Sequence, residues 1–358
     1  MRILSAHAHL VKGMISSLAL LAVTVYPACK DGVTCAPITP AGSGLTFDCA
    51  WVEAIGEDRG HVYAMHGNDG KQAKAMFFDT MLQLAAHNYS SVSCDARGYS
   101  PRASPPDYNA YYYDKLAADI IAIVDAIGFS TKFGGKFHLV AHDQGARVSW
   151  HSIAKNITRP RLLSFTSLSI PHSDVFSDAL LSDHPDADQQ LAAQYVRMLV
   201  LPNSTMVQNE TIFHKVCQSE GWTSPEACQP SLWYYNGAID SGAMALTKWD
   251  PDAPYSPVSK YVGINFTTVQ RLTQYPLAGV AQSVRVGRVD EFPVLYACGS
   301  TDQSDLCKAA FDTESAALIG NYTYLKVVGC GHDVLGCDHA QTYIDAIIKN
   351  IQQQASSS

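Results

Sequence analysis

The turn AHDQG at residues 141–145 places a carboxylate where a reactive side chain could stand. A buried apolar strand ends here, and a helix is predicted to begin two residues after Asp143. The small residues Ala141 and Gly145, two before and two after the apex, permit a sharp turn that raises the apex side chain above the sheet. The backbone N–H of Gln144 could then stabilise an oxyanion. A plain N-cap role for Asp143 is the alternative interpretation.

Two later loops supply the partners that a nucleophilic carboxylate needs. The motif GSTD follows a strand-like run and places Asp302 just beyond its end, and the motif GCGHD places His332 in a loop before the last helix. Nucleophile, acid and histidine in this chain order predict a triad of Asp143, Asp302 and His332. Asp305 and Asp333 are the alternative acids.

The elements that must hold these residues alternate between strand and helix. Strands are predicted at residues 47–54, 61–65, 90–94, 136–141, 162–170, 292–298 and 322–328, and helices at 71–86, 112–127, 145–155 and 340–353. This alternation predicts an α/β fold with a mostly parallel sheet and helices on both faces.

One long segment, residues 171–288, interrupts the alternation with a helical and loop-like pattern. It predicts a helical cap, or lid, inserted between two parts of a core, residues 29–170 and 289–353, with the polar residues 354–358 as a disordered tail. The site would lie between sheet and cap, at the carboxyl ends of the strands.

Three features predict export. Basic residues precede a short apolar run that ends before Ala28, so residues 1–28 are predicted to be a signal peptide; an N-terminal anchor is the alternative. Ten cysteines form close pairs typical of an oxidising compartment, while Cys49 could pair with any of three partners. The local pairs are Cys29/Cys35, Cys217/Cys228, Cys298/Cys307 and Cys330/Cys337, and the candidate partners of Cys49 are Cys29, Cys35 and Cys94. Six glycosylation sequons occur, at Asn88, Asn156, Asn203, Asn209, Asn265 and Asn321.

Charge and composition exclude several partners. The net charge is −8, and the chain has no Lys/Arg run that would attract nucleic acid or anionic lipid. No later apolar stretch is long enough to span a bilayer, so no membrane association is expected after signal cleavage. No paired CxxC motif occurs, and no metal site or cofactor is expected.

The segments SCDARGYSPRASP, LVAHDQGARVSWHS, LSIPHSDVF, ACGSTD and GCGHDVL together resemble the epoxide hydrolases and dehalogenases of the α/β-hydrolase fold, over roughly residues 60–351. The resemblance implies Asp143 as nucleophile, His332 as base and Asp302 as the acid that orients the base. A carboxylate nucleophile displaces a leaving group at an sp³ carbon and leaves an alkyl ester on the enzyme, whereas serine makes an acyl-enzyme. The backbone N–H groups of Gln144 and Asn68 would hold the oxyanion when water attacks that ester.

The loop HGND at residues 66–69 departs from this family, which usually has His-Gly-x-Pro. His66 and Asn68 are nevertheless assigned to oxyanion or substrate binding. For His66, packing at the end of a strand is the alternative. The elbow also has Ala141 where glycine is usual.

The leaving group separates the two enzyme classes. The family's epoxide hydrolases use two cap tyrosines as donors to the epoxide oxygen, and the resemblance implies Tyr195 and Tyr235, with Tyr234 as the fallback for the second. Haloalkane dehalogenases commonly carry tryptophan where this chain has Gln144. Haloacid-type relatives bind a carboxylate with arginines near Arg97 and Arg102.

A secreted, cofactor-free epoxide hydrolase that acts on a small apolar epoxide and yields a vicinal diol is therefore the leading hypothesis. A haloalkane or haloacid dehalogenase with the same triad, acting on an organohalide, is the first alternative. A non-catalytic ligand-binding protein of the same fold is the second. The oligomeric state stays open.

Overall fold

In this computed structural model, residues 28–68, 70, 73–199, 213–241 and 284–353 are described. Residues 1–27 of the predicted signal peptide, the predicted tail and the sequons at Asn203, Asn209 and Asn265 lie outside the described residues.

The strands of the described chain form one nine-stranded sheet with the order β1-β2-β3-β5-β4-β6-β7-β8-β9. Strands β4 to β9 pair in parallel, and β1 to β3 extend one edge in antiparallel pairing. The predicted, mostly parallel sheet is confirmed. The strands are β1 Ala28–Lys30, β2 Val33–Ile38, β3 Phe47–Val52, β4 His61–Met65, β5 Ser90–Cys94, β6 Phe137–His142, β7 Leu162–Leu168, β8 Val294–Gly299 and β9 Tyr322–Val327.

The α-helices of the described chain follow the predicted alternation, with one addition, α8, that the sequence pattern did not indicate. They are α1 Phe78–Ala86, α2 Tyr113–Ala126, α3 Asp143–Ala154, α4 Ser173–Leu181, α5 Ala187–Ala192, α6 Val196–Leu199, α7 Pro225–Asp240, α8 Ala309–Leu318 and α9 Ala340–Gln352. The predicted helix at residues 71–86 is shorter, because a 3₁₀ turn, Ala73–Phe77, precedes α1.

Helices cover both faces of the sheet because successive strand side chains point to opposite sides. Tyr63 and Leu139 pack into the core cluster that contains residues of α2 and α3, whereas their neighbours Ala64 and Val140 join the cluster that contains α1 and α9. Helix α9 suits this position because its buried residues recur at three- and four-residue steps.

The described parts of residues 171–288 contain helices and loops, and no strand is found among those described residues. Helix α7 lies against residues 108–112: a Cβ on Gly237 would stand 1.9 Å from the carbonyl oxygen of Tyr111, so only glycine permits this approach. The hydroxyl of Ser241 accepts from the backbone N–H of Tyr113, which also joins α7 to the start of α2.

All ten cysteines are paired. The four local pairs form as predicted, and Cys49 pairs with Cys94, which joins β3 to β5. None of the helices in the described ranges combines the length and the apolarity needed to cross a bilayer.

Candidate active site

The elbow between β6 and α3 carries Asp143 in a strained conformation. Its φ is 45°, in the left-handed region, where holding a non-glycine residue costs on the order of 1–3 kcal/mol. Two close approaches enforce glycine around it: a Cβ on Gly145 would lie 2.4 Å from the carbonyl oxygen of His66, and one on Gly67 would lie 2.4 Å from the Cβ of Asp143. Asp143 is buried in this position, with 4 % of the residue exposed.

The HGND loop lies directly beside this carboxylate. The backbone N–H of Asn68 donates to Oδ2 of Asp143 at 2.8 Å. The side chain of Asn68 is held from two sides, since its Oδ1 accepts from the Tyr99 hydroxyl at 2.9 Å and its Nδ2 donates to the Tyr235 hydroxyl at 3.3 Å. These contacts restrain Asn68, one residue before the position that proline takes in the family pattern His-Gly-x-Pro.

The imidazole of His66 forms hydrogen bonds with the backbone of its own loop and of the loop after β5. Its Nδ1 donates to the carbonyl oxygen of Gly67 at 2.7 Å, and its Nε2 accepts from the backbone N–H of Ala96 at 2.9 Å. Both ring nitrogens are engaged by backbone, so the alternative of a packed strand-end histidine fits better.

The structure brings His332 and Asp302 to the nucleophile. Nε2 of His332 lies 3.4 Å from Oδ1 of Asp143, the oxygen that Asn68 does not contact, and Nδ1 lies 2.8 Å from Oδ2 of Asp302. Oδ1 of Asp302 accepts from the backbone N–H and hydroxyl of Ser304 and from the N–H of Asp305. The alternative acid Asp333 is exposed and accepts from the backbone of its own loop.

The backbone of His332 is clamped by neighbouring loops. Its carbonyl oxygen accepts from Nε2 of His142 at 2.9 Å and from the hydroxyl of Ser169 at 2.8 Å. A Cβ on Gly299, at the end of β8, would lie 2.2 Å from the carbonyl oxygen of Gly331, so glycine lets the acid and histidine loops meet. The disulfides 298–307 and 330–337 span these two loops.

Charge interactions within the group shift its titration. Burial opposes a charge on Asp143, but the bond to His332 and its charge outweigh burial and hold the pKa of this carboxyl far below its usual range. Burial likewise disfavours a charged His332, yet Asp302 and Asp143 raise the pKa of its imidazole well above 6.5. His332 also lowers the pKa of Asp302 despite burial. The resting site is thus an imidazolium between two carboxylates.

The predicted cap tyrosines take two different places. Tyr195 and Tyr235 are both buried, with ring centroids 6.4 Å apart, and Tyr235 reaches Asn68 beside the nucleophile. Tyr234 instead packs on Tyr99 and Tyr111, and burial, with the charge of Asp119, raises the pKa of its hydroxyl well above 10 despite the opposing charge of Arg97. Tyr235, and not Tyr234, thus contacts the residue that lies beside the nucleophile.

Other polar side chains predicted near the site bond to residues other than Asp143. The Oε1 of Gln144 accepts from the Tyr113 hydroxyl, while its backbone lies in the first turn of α3, where N–H groups lack helical acceptors. Arg97 makes a bidentate pair with Asp119, and Arg102 pairs with Asp48 at the surface. These contacts of the two arginines lead away from the nucleophile.

The sequence interpretation missed Arg147. It lies one helical turn after Asp143, and its guanidinium donates to Oδ1 of Asp305. Its position at i+4 from the apex was the available signal. Asp143, Asp305 and His332 each offer one metal-type ligand atom within 4.8 Å of the others, but Arg147 already supplies a cation to Asp305.

The chain matches the model of the alpha/beta hydrolase family over residues 62–346, and it therefore belongs to that family. Its sheet superposes on solved epoxide hydrolases at low identity. One from metagenomes of hot environments gives a TM-score of 0.61 at 18% identity, covering 90% of this chain and 98% of that one. One from Vigna radiata gives 0.55 at 17%, covering 91% and 100%. These likenesses establish the fold.

The curated relatives match over shorter stretches. Mouse epoxide hydrolase 4 is 31% identical over 97 residues, which is 27% of this chain and 25% of that protein, and human epoxide hydrolase 4 is 32% identical over 115 residues, 32% and 29% respectively. A fluoroacetate dehalogenase of Burkholderia sp is 36% identical over 67 residues, 18% and 20%. The chain thus matches less than a third of the length of these relatives.

Proposed function

We propose that this protein is a secreted epoxide hydrolase that converts a small apolar epoxide into a vicinal diol through an ester on Asp143. The observation that carries the proposal is that the two oxygens of Asp143 have different contacts. Oδ2 accepts from the N–H of Asn68, and Oδ1 faces His332 at 3.4 Å.

In the first half-reaction, Oδ1 of Asp143 attacks an epoxide carbon, and the bond between that carbon and the epoxide oxygen breaks. The charge that develops on the oxygen needs a donor, and the hydroxyls of Tyr235 and Tyr195 are the candidates, one of them giving up its proton. The product is a β-hydroxyalkyl ester of Asp143.

Once the ester has removed the charge of Asp143, the imidazolium of His332 returns its proton, through solvent, to the tyrosinate. In the second half-reaction, the neutral Nε2 of His332 takes a proton from water, and the hydroxide attacks Cγ of Asp143. The oxyanion forms at the Oδ2 position, within reach of the N–H of Asn68 and in front of the first turn of α3, which contains Gln144. The bond between Cγ and Oδ1 then breaks, the leaving alkoxide takes the proton that the new carboxyl group gives up, and the diol leaves. Its new oxygen is the former Oδ1, and Asp143 retains one oxygen from water.

The dehalogenase alternative has one observation in its favour, the 67-residue similarity to fluoroacetate dehalogenase. Two observations weigh against it. The haloacid candidate Arg97 is already paired with Asp119, and Gln144 stands where haloalkane dehalogenases commonly have an indole donor. The hydroxyl of Tyr235 beside Asn68 suits an alkoxide.

Secretion is part of the proposal, and the five disulfides support it, because such bonds persist in oxidising compartments. The sequon residues Asn156 and Asn321 are exposed, as glycosylation requires.

Product analysis with three substrates, two of which share one carbon skeleton, tests the function. Purified protein is incubated with styrene oxide, with 1-bromo-2-phenylethane and with fluoroacetate, and diol and free halide are quantified. We expect phenylethanediol and no halide, and a covalent adduct on Asp143 in the His332→Gln variant given styrene oxide. Halide release without diol would favour the dehalogenase, and no turnover and no adduct would favour the ligand-binding alternative.

A further inference from the structure

A buried ion pair lies behind the histidine. Arg147 is 7 % exposed and Asp305 is 1 % exposed, and Nη2 of Arg147 donates to Oδ1 of Asp305. The guanidinium also lies over the ring of Phe176, with Cζ 4.5 Å from the centroid. A buried pair of this kind contributes little net stability on average, so its presence calls for another reason.

The second oxygen of Asp305 points to that reason. Its Oδ2 has no hydrogen-bond partner in the described chain and lies 3.7 Å from Nδ1 of His332. That nitrogen already contacts Asp302 at 2.8 Å and the hydroxyl of Ser304 at 3.1 Å. The imidazole therefore faces two carboxylates on its Nδ1 side.

We propose that Asp305, kept charged and aimed by Arg147, is a second positioning carboxylate for His332 and keeps it strongly basic after Asp143 has become an ester. The inference rests on the proposed function for its catalytic consequence, although the interaction itself exists in the resting protein.

The charge balance of the cycle explains why a second carboxylate helps. In the resting site the imidazolium is stabilised by Asp143 and Asp302. Esterification removes the charge of Asp143 just before His332 must accept a proton from water. Asp305 does not react, so its charge remains available for the imidazolium that forms.

The charge state of Asp305 depends on its partner. Burial raises the pKa of Asp305 to about 6, against the opposing effects of Arg147 and His332, so the carboxyl is charged above about that pH. Loss of Arg147 would raise this pKa further and leave Asp305 neutral. The titratable groups that face Asp305 are Arg147, His332, Asp302, Asp143 and Tyr296, and those that face His332 also include His142.

The test follows the imidazole directly, without turnover. ¹³C-labelled histidine signals are titrated by NMR in the full-length protein, with His332→Gln supplying the assignment. Because a nearby negative charge favours the protonated ring, Asp305→Asn should lower the pKa of His332 by about one unit. Arg147→Met, which leaves Asp305 neutral, should lower it as much, and the double variant should equal either single variant. Asp333→Asn is the matched control, a neutralised carboxylate next to His332 but exposed, and should leave the titration unchanged.

Kinetics give the catalytic side of the same test. With styrene oxide, the acid limb of the kcat profile should move by about one pH unit toward lower pH in Asp305→Asn, and ester hydrolysis should slow about tenfold while alkylation stays unchanged. The double variant replaces the pair by neutral side chains of similar size, which covers the case in which Arg147→Met fails to fold. An unchanged His332 titration in Asp305→Asn or in the double variant would overturn the inference even in an active enzyme. A shifted His332 titration without diol formation would support the effect of Asp305 on His332 and contradict the proposed function.

Discussion

Replacing Asp302 by asparagine should stop the reaction at the covalent intermediate, and the contacts of this carboxyl explain why. Its Oδ1 accepts three hydrogen bonds, from the N–H and hydroxyl of Ser304 and from the N–H of Asp305, while Oδ2 faces Nδ1 of His332. An amide can meet the three donors only with its oxygen, so its NH₂ group must turn toward His332. The ring then has to accept at Nδ1 and carry its proton on Nε2, where it cannot take one from water.

The substitution should slow ester hydrolysis much more than the attack by Asp143. We expect ester hydrolysis to slow by about 10⁴-fold, the scale seen when a catalytic histidine is held in the wrong tautomer, which corresponds to about 5.4 kcal/mol. Attack by Asp143 needs no proton transfer to Nε2 and should slow less than about tenfold. The ester on Asp143 should therefore accumulate.

Rapid quench followed by intact-protein mass spectrometry measures both steps with styrene oxide. The adduct should form within seconds on Asp302→Asn and persist, whereas the wild-type protein should show little adduct at steady state. The matched control is Asp333→Asn, which removes an exposed carboxylate from the histidine loop. Equal slowing of the two steps, or a kcat within threefold of wild type, would refute the assignment of Asp302.

Three further outcomes follow from the geometry. Tyr235→Phe should lower the alkylation rate by about 10²-fold and spare hydrolysis of a preformed ester; burst kinetics showing the reverse would contradict its role as donor. Gly299→Ala should destabilise the fold by about 2–3 kcal/mol in urea unfolding, because its Cβ would lie 2.2 Å from a backbone oxygen. The control Gly331→Ala, whose Cβ meets nothing closer than 3.9 Å, should cost less than about 1 kcal/mol. Similar losses of stability in the two variants would be evidence against the close contact between the loops. Removal of the disulfide between Cys330 and Cys337 should cost about 2–3 kcal/mol from its short loop and lower kcat, and an unchanged kcat would show that the bond does not hold the histidine loop.

The regular core was readable from the sequence because its elements have strong periodic patterns. The predicted bounds of β4 and β5 match the structure, since each is a short segment between turn residues. Strands β1 and β2 were missed because neither is a buried run: Cys29 and Lys30 of β1 are exposed, and β2 is only partly buried. Helix α8 was missed because Phe311 and Ser315 are its only buried residues, too few to mark an apolar stripe.

The site was partly predictable for a similar reason. Asp143, Asp302 and His332 stand in local motifs at strand ends, and the parallel sheet brings those ends together. The pair of Arg147 and Asp305 joins residues 158 positions apart, and no local pattern announces such a contact. The support of Asn68 by tyrosines from a core loop and from α7 likewise depends on how the chain packs.

A single turnover in H₂¹⁸O tests most directly whether Asp143 is the nucleophile. With protein in excess over styrene oxide, we expect the first diol to contain no ¹⁸O, because its new oxygen comes from the carboxylate, and we expect one ¹⁸O atom in the peptide that carries Asp143. Label in the first diol, with an unlabelled Asp143 peptide, would mean that water attacks the epoxide directly and would contradict the covalent mechanism.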